Sequence, residues 1–254
     1  MGAHTRRLVA IPLVLLALVG AACNQSAAIR QESLEHSTAV SFESSDGVRL
    51  AGRIFGPTTS VTGVVLAHML PSDQTSWFDF AGRLGQAGYR VLTFDFRGYC
   101  PGGDAGCSEG EKEISAIWQD VEGAVAYLHG DGVRTIGLIG ASMGGTASLI
   151  VAAKEGSGIA TVATLSAPES IEGLNAGPDV VQQITAAKLF IAGNTDDDAP
   201  RSAQAFYDES GQPKRVELLT TGDHGTDLLT GNQAEIARTM LLGFLDQYLP
   251  VGGS

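Results

Sequence analysis

Short apolar runs rich in β-branched residues alternate with longer amphipathic segments along most of the chain. Two early runs, 39–43 and 48–55, flank an Asp-Gly turn and predict a β-hairpin. Further buried strands are predicted at 61–67, 89–94, 135–139, 159–165, 188–192 and 216–219. Helices are predicted at 76–87, 114–128, 146–153, 199–209 and 233–248. Strands that alternate with helices indicate an α/β protein whose sheet is mostly parallel, with helices on both faces.

The most informative stretch joins two of these elements. Gly140-x-Ser142-x-Gly144 lies between the 135–139 strand and the 146–153 helix. In this setting the motif is typical of a nucleophile elbow, a sharp turn that strains the serine backbone and needs glycines to avoid clashes. Backbone N–H groups at the start of the helix can then stabilise an oxyanion. The alternative is a chance motif in a chain of 33 glycines, where a Gly-Gly pair serves only close helix packing.

The order of the predicted elements resembles the α/β-hydrolase fold family. The chain begins with a hairpin, continues to the Gly-x-Ser-x-Gly turn after the fifth strand, and ends with a strand, a loop and a helix. These elements extend from about residue 39 to residue 249. The resemblance implies an eight-stranded, mostly parallel sheet. A serine at the elbow argues against the dehalogenase and epoxide-hydrolase branches, which use aspartate, and against the dienelactone-hydrolase branch, which uses cysteine.

The resemblance also implies a catalytic triad. A serine nucleophile needs a base and an acid that orients the base, and in this family the acid and then the histidine follow the serine along the chain. Of five histidines only His224 follows Ser142, and it lies in a glycine-containing loop just past the last strand. The family's acid has a glycine three positions before it and a proline four positions after it, which fits Asp196. Asp197 is the fallback, and an acidic turn or a loose cation site is the alternative for the whole 196–198 run.

The family's oxyanion hole uses two backbone N–H groups. One belongs to the residue after the nucleophile, here Met143, and the other to the loop after the third strand, where Met69 follows His68. The family usually has glycine at the position of Met69, so we expect the methionine side chain to narrow the acyl pocket. We interpret His68 as a structural histidine rather than a second base.

Two further segments bear on the shape of the site. The sequence Asp95-Phe-Arg97-Gly resembles a turn whose role in the family is structural, an Arg–Asp tie under the site. The connection 166–186 is long enough for a turn or two of helix near Val180, but not for the helical cap of many relatives. Little or no cap domain predicts an open site that suits small or accessible esters.

Composition and charge exclude several classes of function. A net charge of −12 leaves no basic patch for phosphates, so we expect no nucleic-acid partner. A hydrophobic content of 44% predicts a large buried core. Because no HExxH, CxxC or dinucleotide-binding glycine motif is present, we expect neither a metal nor a cofactor.

The N-terminal segment is typical of export. Two arginines, Arg6 and Arg7, precede the apolar run 8–19, which is too short to span a bilayer comfortably. Small residues and Cys23 follow, which resembles a bacterial lipoprotein signal with lipid on that cysteine. The paired arginines are also a weak sign of twin-arginine export. We therefore predict a signal peptide at 1–22.

The lipoprotein pattern is imperfect. Gly20 stands where such signals usually have leucine, and cleavage by an ordinary signal peptidase near Ala21 or Ala22 is the alternative. Segment 23–38 is predicted to be a tether, followed by an α/β-hydrolase domain at 39–250.

Cysteine usage agrees with export. If Cys23 carries lipid, Cys100 and Cys107 remain, seven positions apart in one loop. An exported protein can oxidise them, so we predict a disulfide, with two free thiols as the alternative.

These observations predict an exported, lipid-anchored serine hydrolase of the carboxylesterase type, acting on a small-molecule ester through an acyl-enzyme on Ser142. A peptidase, a thioesterase or an acyltransferase would use the same chemistry, since a fold does not fix a substrate. The alternative from another class is a surface-binding lipoprotein that has the fold without catalysis.

Overall fold

The structure is a computed structural model of the chain, and it describes residues 34–100, 106–154 and 158–252. The predicted signal peptide 1–22, the predicted lipidation site Cys23 and most of the predicted tether lie outside the described residues. Within the described part of the chain, no helix combines the length and the apolar character needed to cross a membrane.

The fold is organised around one large sheet. The strands of the protein are β1 (Ser37–Glu43), β2 (Arg49–Phe55), β3 (Thr62–Ala67), β4 (Arg90–Phe94), β5 (Thr135–Ala141), β6 (Ile159–Leu165), β7 (Ser170–Ile171), β8 (Leu174–Asn175), β9 (Ala187–Gly193) and β10 (Lys214–Leu219). Strands β7 and β8 form a separate two-stranded hairpin. The eight strands of the large sheet lie in the order β1-β2-β4-β3-β5-β6-β9-β10. Only the β1–β2 and β2–β4 pairs are antiparallel. The predicted eight-stranded, mostly parallel sheet is therefore confirmed.

Helices cover both faces of this sheet, as predicted. They are α1 (Phe78–Gln86), α2 (Ile117–Gly130), α3 (Met143–Lys154), α4 (Pro178–Val181), α5 (Ala199–Glu209) and α6 (Ala234–Tyr248). Buried side chains of α2, α3 and α5 form one apolar cluster with one face of the sheet. Those of α1 and α6 form a second cluster with the other face. The strands between the clusters are buried on both faces, which explains why they read as continuous apolar runs.

Several elements differ from the sequence prediction in their bounds or content. Strand β1 begins at Ser37, two residues before the predicted start of the domain. Helix α3 begins at Met143 rather than at 146, because the elbow leads directly into the helix and its first residues include two glycines, which weaken the sequence signal for helix. The connection 166–186 contains the predicted helical turn as α4 and, in addition, the β7–β8 hairpin. No cap domain is present among the described residues.

Candidate active site

The Gly-x-Ser-x-Gly segment forms a strained turn between β5 and α3. Ser142 has a φ of 48°, in the left-handed region that non-glycine residues rarely adopt. Its N–H donates to the carbonyl of Leu165 over 2.8 Å, which holds the turn against the end of β6. A Cβ on Gly140 would lie 2.2 Å from the Gly144 carbonyl oxygen, and a Cβ on Gly144 would lie 2.4 Å from the His68 carbonyl oxygen. Both motif glycines are therefore sterically required.

The glycine after the motif has a packing role. A Cβ on Gly145 would lie 2.7 Å from the Cβ of Ala167. The Gly-Gly pair thus allows α3 to pack closely on the sheet, as the alternative interpretation of the motif proposed, but this packing accompanies the strained serine turn and does not replace it.

His224 and Asp196 meet at the carboxyl edge of the sheet. Nδ1 of His224 lies 3.0 Å from Oδ1 and 2.9 Å from Oδ2 of Asp196. Asp196 follows β9 and is 6% exposed, whereas the His224 side chain, in the loop after β10, is 40% exposed. The carboxylate is thus held inside the protein while the ring reaches towards solvent. This arrangement fixes the orientation of the imidazole ring.

The neighbouring aspartates have other surroundings. Asp197 is exposed and has a φ of 34°. Asp198 is the N-cap residue of α5, and its carboxylate pairs with the guanidinium of Arg201 instead of capping the helix. The structure therefore brings Asp196, rather than the fallback Asp197, against the histidine.

Ser142, Asp196 and His224 line one cavity of about 240 Å³. All three follow the carboxyl ends of parallel strands, which is where ligands bind in open α/β sheets. The remaining lining residues come from the connection after β6 and from the loop and helix after β9, and they are Ser166, Pro168, Ile171, Asp197, Asp198, Ala199 and Ser202. The three residues predicted as a triad from positions far apart in the chain therefore share one cavity.

The two predicted oxyanion donors come from the elbow itself and from the loop after β3. Met143 is the first residue of α3 and is fully buried, so its N–H belongs to the N-terminal turn of that helix. Met69 follows β3 and is 6% exposed. Its Sδ lies 2.3 Å from the position a Cβ on Gly225 would take, so the side chain packs beneath the histidine loop. Met69 is not among the described residues that line the cavity.

His68 ties the loop after β3 to the loop after β4. The ring is fully buried, its Nε2 accepts the N–H of Phe96 over 3.1 Å, and its Nδ1 lies 3.0 Å from the Met69 carbonyl oxygen. Because Nε2 accepts, the proton of the neutral ring is on Nδ1 and is donated to Met69. Burial lowers the pKa of His68 to about 4. These contacts support a structural role for His68 and leave it unsuited to act as a second base.

Replacing His68 with glutamine tests this role at two pH values. Between the folded pKa of about 4 and the ordinary value of 6.5, only the unfolded chain binds the proton, so the folded state loses stability as pH falls through this window. At pH 5 the loss relative to pH 7 is about 2 kcal/mol. We expect His68→Gln to destabilise the protein by about 2 kcal/mol less at pH 5 than at pH 7 in urea unfolding.

Burial raises the pKa of Asp95 to about 6. Its protonation therefore stabilises the folded state as pH falls over part of the same window, which is opposite to the effect of His68. The contribution of Asp95 is common to both proteins and cancels in the comparison. Equal destabilisation by His68→Gln at the two pH values would contradict the buried, neutral histidine.

The loop after β4 contains the predicted arginine tie. The guanidinium of Arg97 donates to Asp120 of α2 over 2.7 Å and 2.9 Å, and to Asp46 of the β1–β2 turn over 2.7 Å and 2.9 Å. Asp95, the aspartate of the same motif, instead accepts from the N–H and side-chain amide of Gln74. The tie is structural, as predicted, and it joins three segments distant in sequence.

The same loop is closed by the predicted disulfide between Cys100 and Cys107. Tyr99, next to the disulfide, packs its ring 4.7 Å from that of His68. The crosslinked loop therefore helps to bury the histidine that holds Met69. Among residues 34–100, 106–154 and 158–252, no group of three or more His, Cys, Asp or Glu side chains is arranged to hold a metal ion.

Among the lining residues that the sequence analysis did not single out, Ser166 is the one closest in position to the elbow serine. It follows β6, lines the cavity beside Ser142 and has a φ of 55°. The available signal was its position: it comes directly after the strand that neighbours the elbow strand.

Comparisons with known proteins agree with this architecture. A family model described as alpha/beta hydrolase fold matches residues 63–233, which include the elbow, Asp196 and His224, and the chain therefore belongs to that family. A search of curated proteins finds no match.

Similar solved structures include three that are described as esterases or an esterase domain. An esterase from Pyrococcus furiosus is 21% identical with a TM-score of 0.66, over 84% of this chain and 93% of that one. The esterase domain of a Rhodothermus marinus protein is 24% identical with a TM-score of 0.67, over 84% and 99%. An esterase from Exiguobacterium antarcticum is 16% identical with a TM-score of 0.65, over 82% and 100%. At these identities the likeness concerns the fold alone.

Proposed function

We propose that the protein is a serine hydrolase that cleaves carboxylic esters through an acyl-enzyme on Ser142. The observation that carries the proposal is the contact of His224 Nδ1 with both carboxylate oxygens of Asp196, at 2.9 and 3.0 Å, in a cavity shared with Ser142. A strained serine, an oriented imidazole and a buried carboxylate are the groups that nucleophilic acyl transfer requires. Family membership and the esterases among similar structures support hydrolysis of esters.

The contacts support a role for each group. Because Nδ1 of His224 faces Asp196, Nε2 is the nitrogen free to take the proton from the Ser142 hydroxyl as it attacks the ester carbonyl. Asp196 stabilises the imidazolium that results, and Nε2 then gives its proton to the departing alcohol. A water molecule, deprotonated by the same nitrogen, releases the acid from Ser142 and returns the enzyme to its starting state.

Two backbone N–H groups are proposed to receive the charge that develops on the carbonyl oxygen. Met143 offers its N–H at the start of α3, where the helix dipole adds a partial positive charge. Met69 offers the second, and the carbonyl of the same residue, in the next peptide unit, accepts from His68, which fixes the path of this loop. Since backbone donors aimed in advance need no reorganisation during the reaction, the hydrogen bonds of His68 contribute indirectly to this stabilisation.

The size of the cavity supports small or accessible substrates. Its volume of about 240 Å³ is below the range of roughly 300–1,000 Å³ that is usual for drug-sized ligands. The connection over the site contributes a two-stranded hairpin and one short helix, which do not enclose a long acyl chain.

Rapid mixing with p-nitrophenyl butyrate tests the proposed reaction. We expect a burst of p-nitrophenolate that approaches one equivalent of enzyme, followed by slower steady turnover as the acyl-enzyme is hydrolysed. Release of p-nitrophenolate no faster than in buffer would contradict the proposal.

We further propose that the enzyme is exported and held on the outer face of a membrane by lipid on Cys23. The Cys100–Cys107 disulfide supports an oxidising compartment. Strands β1 and β4 are both antiparallel to β2, so they run in the same direction. Strand β1 therefore starts, at Ser37, at the edge of the sheet where the parallel strands also start, which is opposite the candidate active site. A tether that leaves from this edge would not obstruct the cavity.

Expression of the full chain in a bacterial host with a lipoprotein pathway tests the anchor. We expect the mature protein to partition into detergent and its first peptide to carry acyl chains on Cys23, because several chains on one residue give stable anchoring. The Cys23→Ser variant should appear in the aqueous phase with unchanged ester hydrolysis. An unmodified N-terminus in the soluble fraction of the unsubstituted protein would contradict the anchor and leave the proposed chemistry intact.

A further inference from the structure

Ser166 occupies a position equivalent to that of the elbow serine on the neighbouring strand. Ala141 and Leu165 are paired in the β5–β6 ladder, so Ser142 and Ser166 follow side by side at the carboxyl edge of the sheet. Their φ angles are 48° and 55°, and both residues line the same cavity. Two adjacent strands thus end in strained serines that border one space.

The hydroxyl of Ser166 is unsatisfied. The residue is 1% exposed, and its Oγ has no hydrogen-bond partner within the described part of the chain. A buried polar group without a partner lowers stability, and so does a left-handed backbone at a non-glycine residue. Both costs fall on one residue beside the proposed nucleophile. They are explained if the hydroxyl gains its partner only when substrate occupies the cavity.

The other walls of the cavity limit what that partner can be. Asp197 and Asp198 border the cavity together with Asp196, and no lysine or arginine is among the described lining residues. A carboxylate on the substrate would therefore be repelled and left without a counter-charge. The volume of about 240 Å³ is below the range of roughly 300–1,000 Å³ that is usual for drug-sized ligands, which favours a small group.

We propose that this cavity is a subsite for a small, uncharged, hydroxyl-bearing part of the ester substrate, and that Ser166 is its hydrogen-bond partner. The inference rests on the proposed function, with Ser142 as the nucleophile. The hydroxyl of Ser166 can donate to or accept from a substrate hydroxyl, so it recognises polarity at this position without supplying charge. Pro168 and Ile171 provide apolar contact for the carbon atoms of the same group.

Three esters of similar size test the subsite. Ethyl 3-hydroxybutyrate carries the hydroxyl on the acyl part, 2-hydroxyethyl butyrate carries it on the alcohol part, and ethyl butyrate lacks it. We expect kcat/KM for one of the hydroxylated esters to exceed that for ethyl butyrate by about tenfold, the value of one good hydrogen bond. The ester that shows the preference identifies which part enters the cavity. Monoethyl succinate, which is anionic, should be the poorest substrate.

The variant Ser166→Ala should lower kcat/KM for the preferred hydroxylated ester about tenfold more than that for ethyl butyrate. Its matched control is Ser210→Ala, which removes another buried hydroxyl without a partner in the described residues, from the end of α5. Because each change removes an unsatisfied polar group, both should raise Tm, by about 2–4 °C per 1 kcal/mol in a protein of this size. Only Ser166→Ala should change the preference among esters.

Three results would overturn the subsite. They are equal kcat/KM for all three neutral esters in the unsubstituted protein, an unaltered preference in Ser166→Ala, and a Tm that falls in Ser166→Ala, which would make the hydroxyl structural. Hydrolysis of ethyl butyrate alongside any of these leaves the proposed function standing. If no ester is hydrolysed at all, the proposed function fails, and the subsite with it.

Discussion

Ser142→Ala is expected to lower kcat for ester hydrolysis by on the order of 10⁶-fold, as loss of the nucleophile does in other serine hydrolases. The fold should be unaffected, because the N–H of residue 142 still donates to Leu165 and alanine suffers no more strain than serine at a φ of 48°. Steady-state kinetics, together with thermal unfolding of the same preparation, separates loss of chemistry from loss of structure.

The chain offers a matched control in α3, six residues after Ser142. Ser148 is also buried, and its hydroxyl donates to the Gly144 carbonyl over 2.7 Å rather than lining the cavity. Ser148→Ala should therefore keep kcat within a few-fold of the unsubstituted protein. Comparable activity in Ser142→Ala and Ser148→Ala would mean that the elbow serine is not the nucleophile.

Asp196→Asn is expected to have the second largest effect, a loss in kcat on the order of 10⁴-fold. The carboxylate faces Nδ1 of His224 with both oxygens, whereas an amide can present its NH₂ group to that nitrogen and favour the wrong tautomer of the ring. The charge that stabilises the imidazolium is lost as well. The measurement is kcat with p-nitrophenyl butyrate at a pH near neutrality.

Asp197→Asn and Asp198→Asn provide the comparison, since each removes one negative charge from the same loop. Asp197 is exposed and Asp198 pairs with Arg201, so each change should cost far less than Asp196→Asn. A large loss in Asp197→Asn with a nearly silent Asp196→Asn would mean that the acid was misplaced by one residue.

The sequence was sufficient to predict the order of strands and helices and to place Ser142, Asp196 and His224 at one edge of the sheet. Buried parallel strands read as apolar runs because helices cover both their faces. The site residues follow strand ends, and the carboxyl ends of parallel strands share one edge, so residues as far apart as Ser142 and His224 could be assigned to one place. The glycine and proline around Asp196 then distinguished it from the two aspartates that follow it.

Other features depend on contacts that no local pattern records. Strands β7 and β8 have two residues each, too few for any periodicity to appear. The partners of Arg97 are 51 and 23 residues away, in a turn and a helix whose packing had first to be known. The role of Met69 depended on the path of its side chain beneath Gly225, which sequence cannot specify.

Ser166 illustrates the same limit at the site itself. Serine after a strand is an ordinary turn residue. Its interest comes from a left-handed φ, a buried hydroxyl without a partner in the described residues, and the pairing of β5 with β6, all of which are three-dimensional.

Labelling with a fluorophosphonate probe, followed by peptide mapping, tests the central claim most directly, because the probe forms a bond only with a serine activated by its neighbours. We predict one equivalent of probe on the peptide that contains Ser142, with labelling abolished in Ser142→Ala and strongly slowed in Asp196→Asn. Absence of labelling in the folded, unsubstituted protein, or labelling at a residue other than Ser142, would contradict the account.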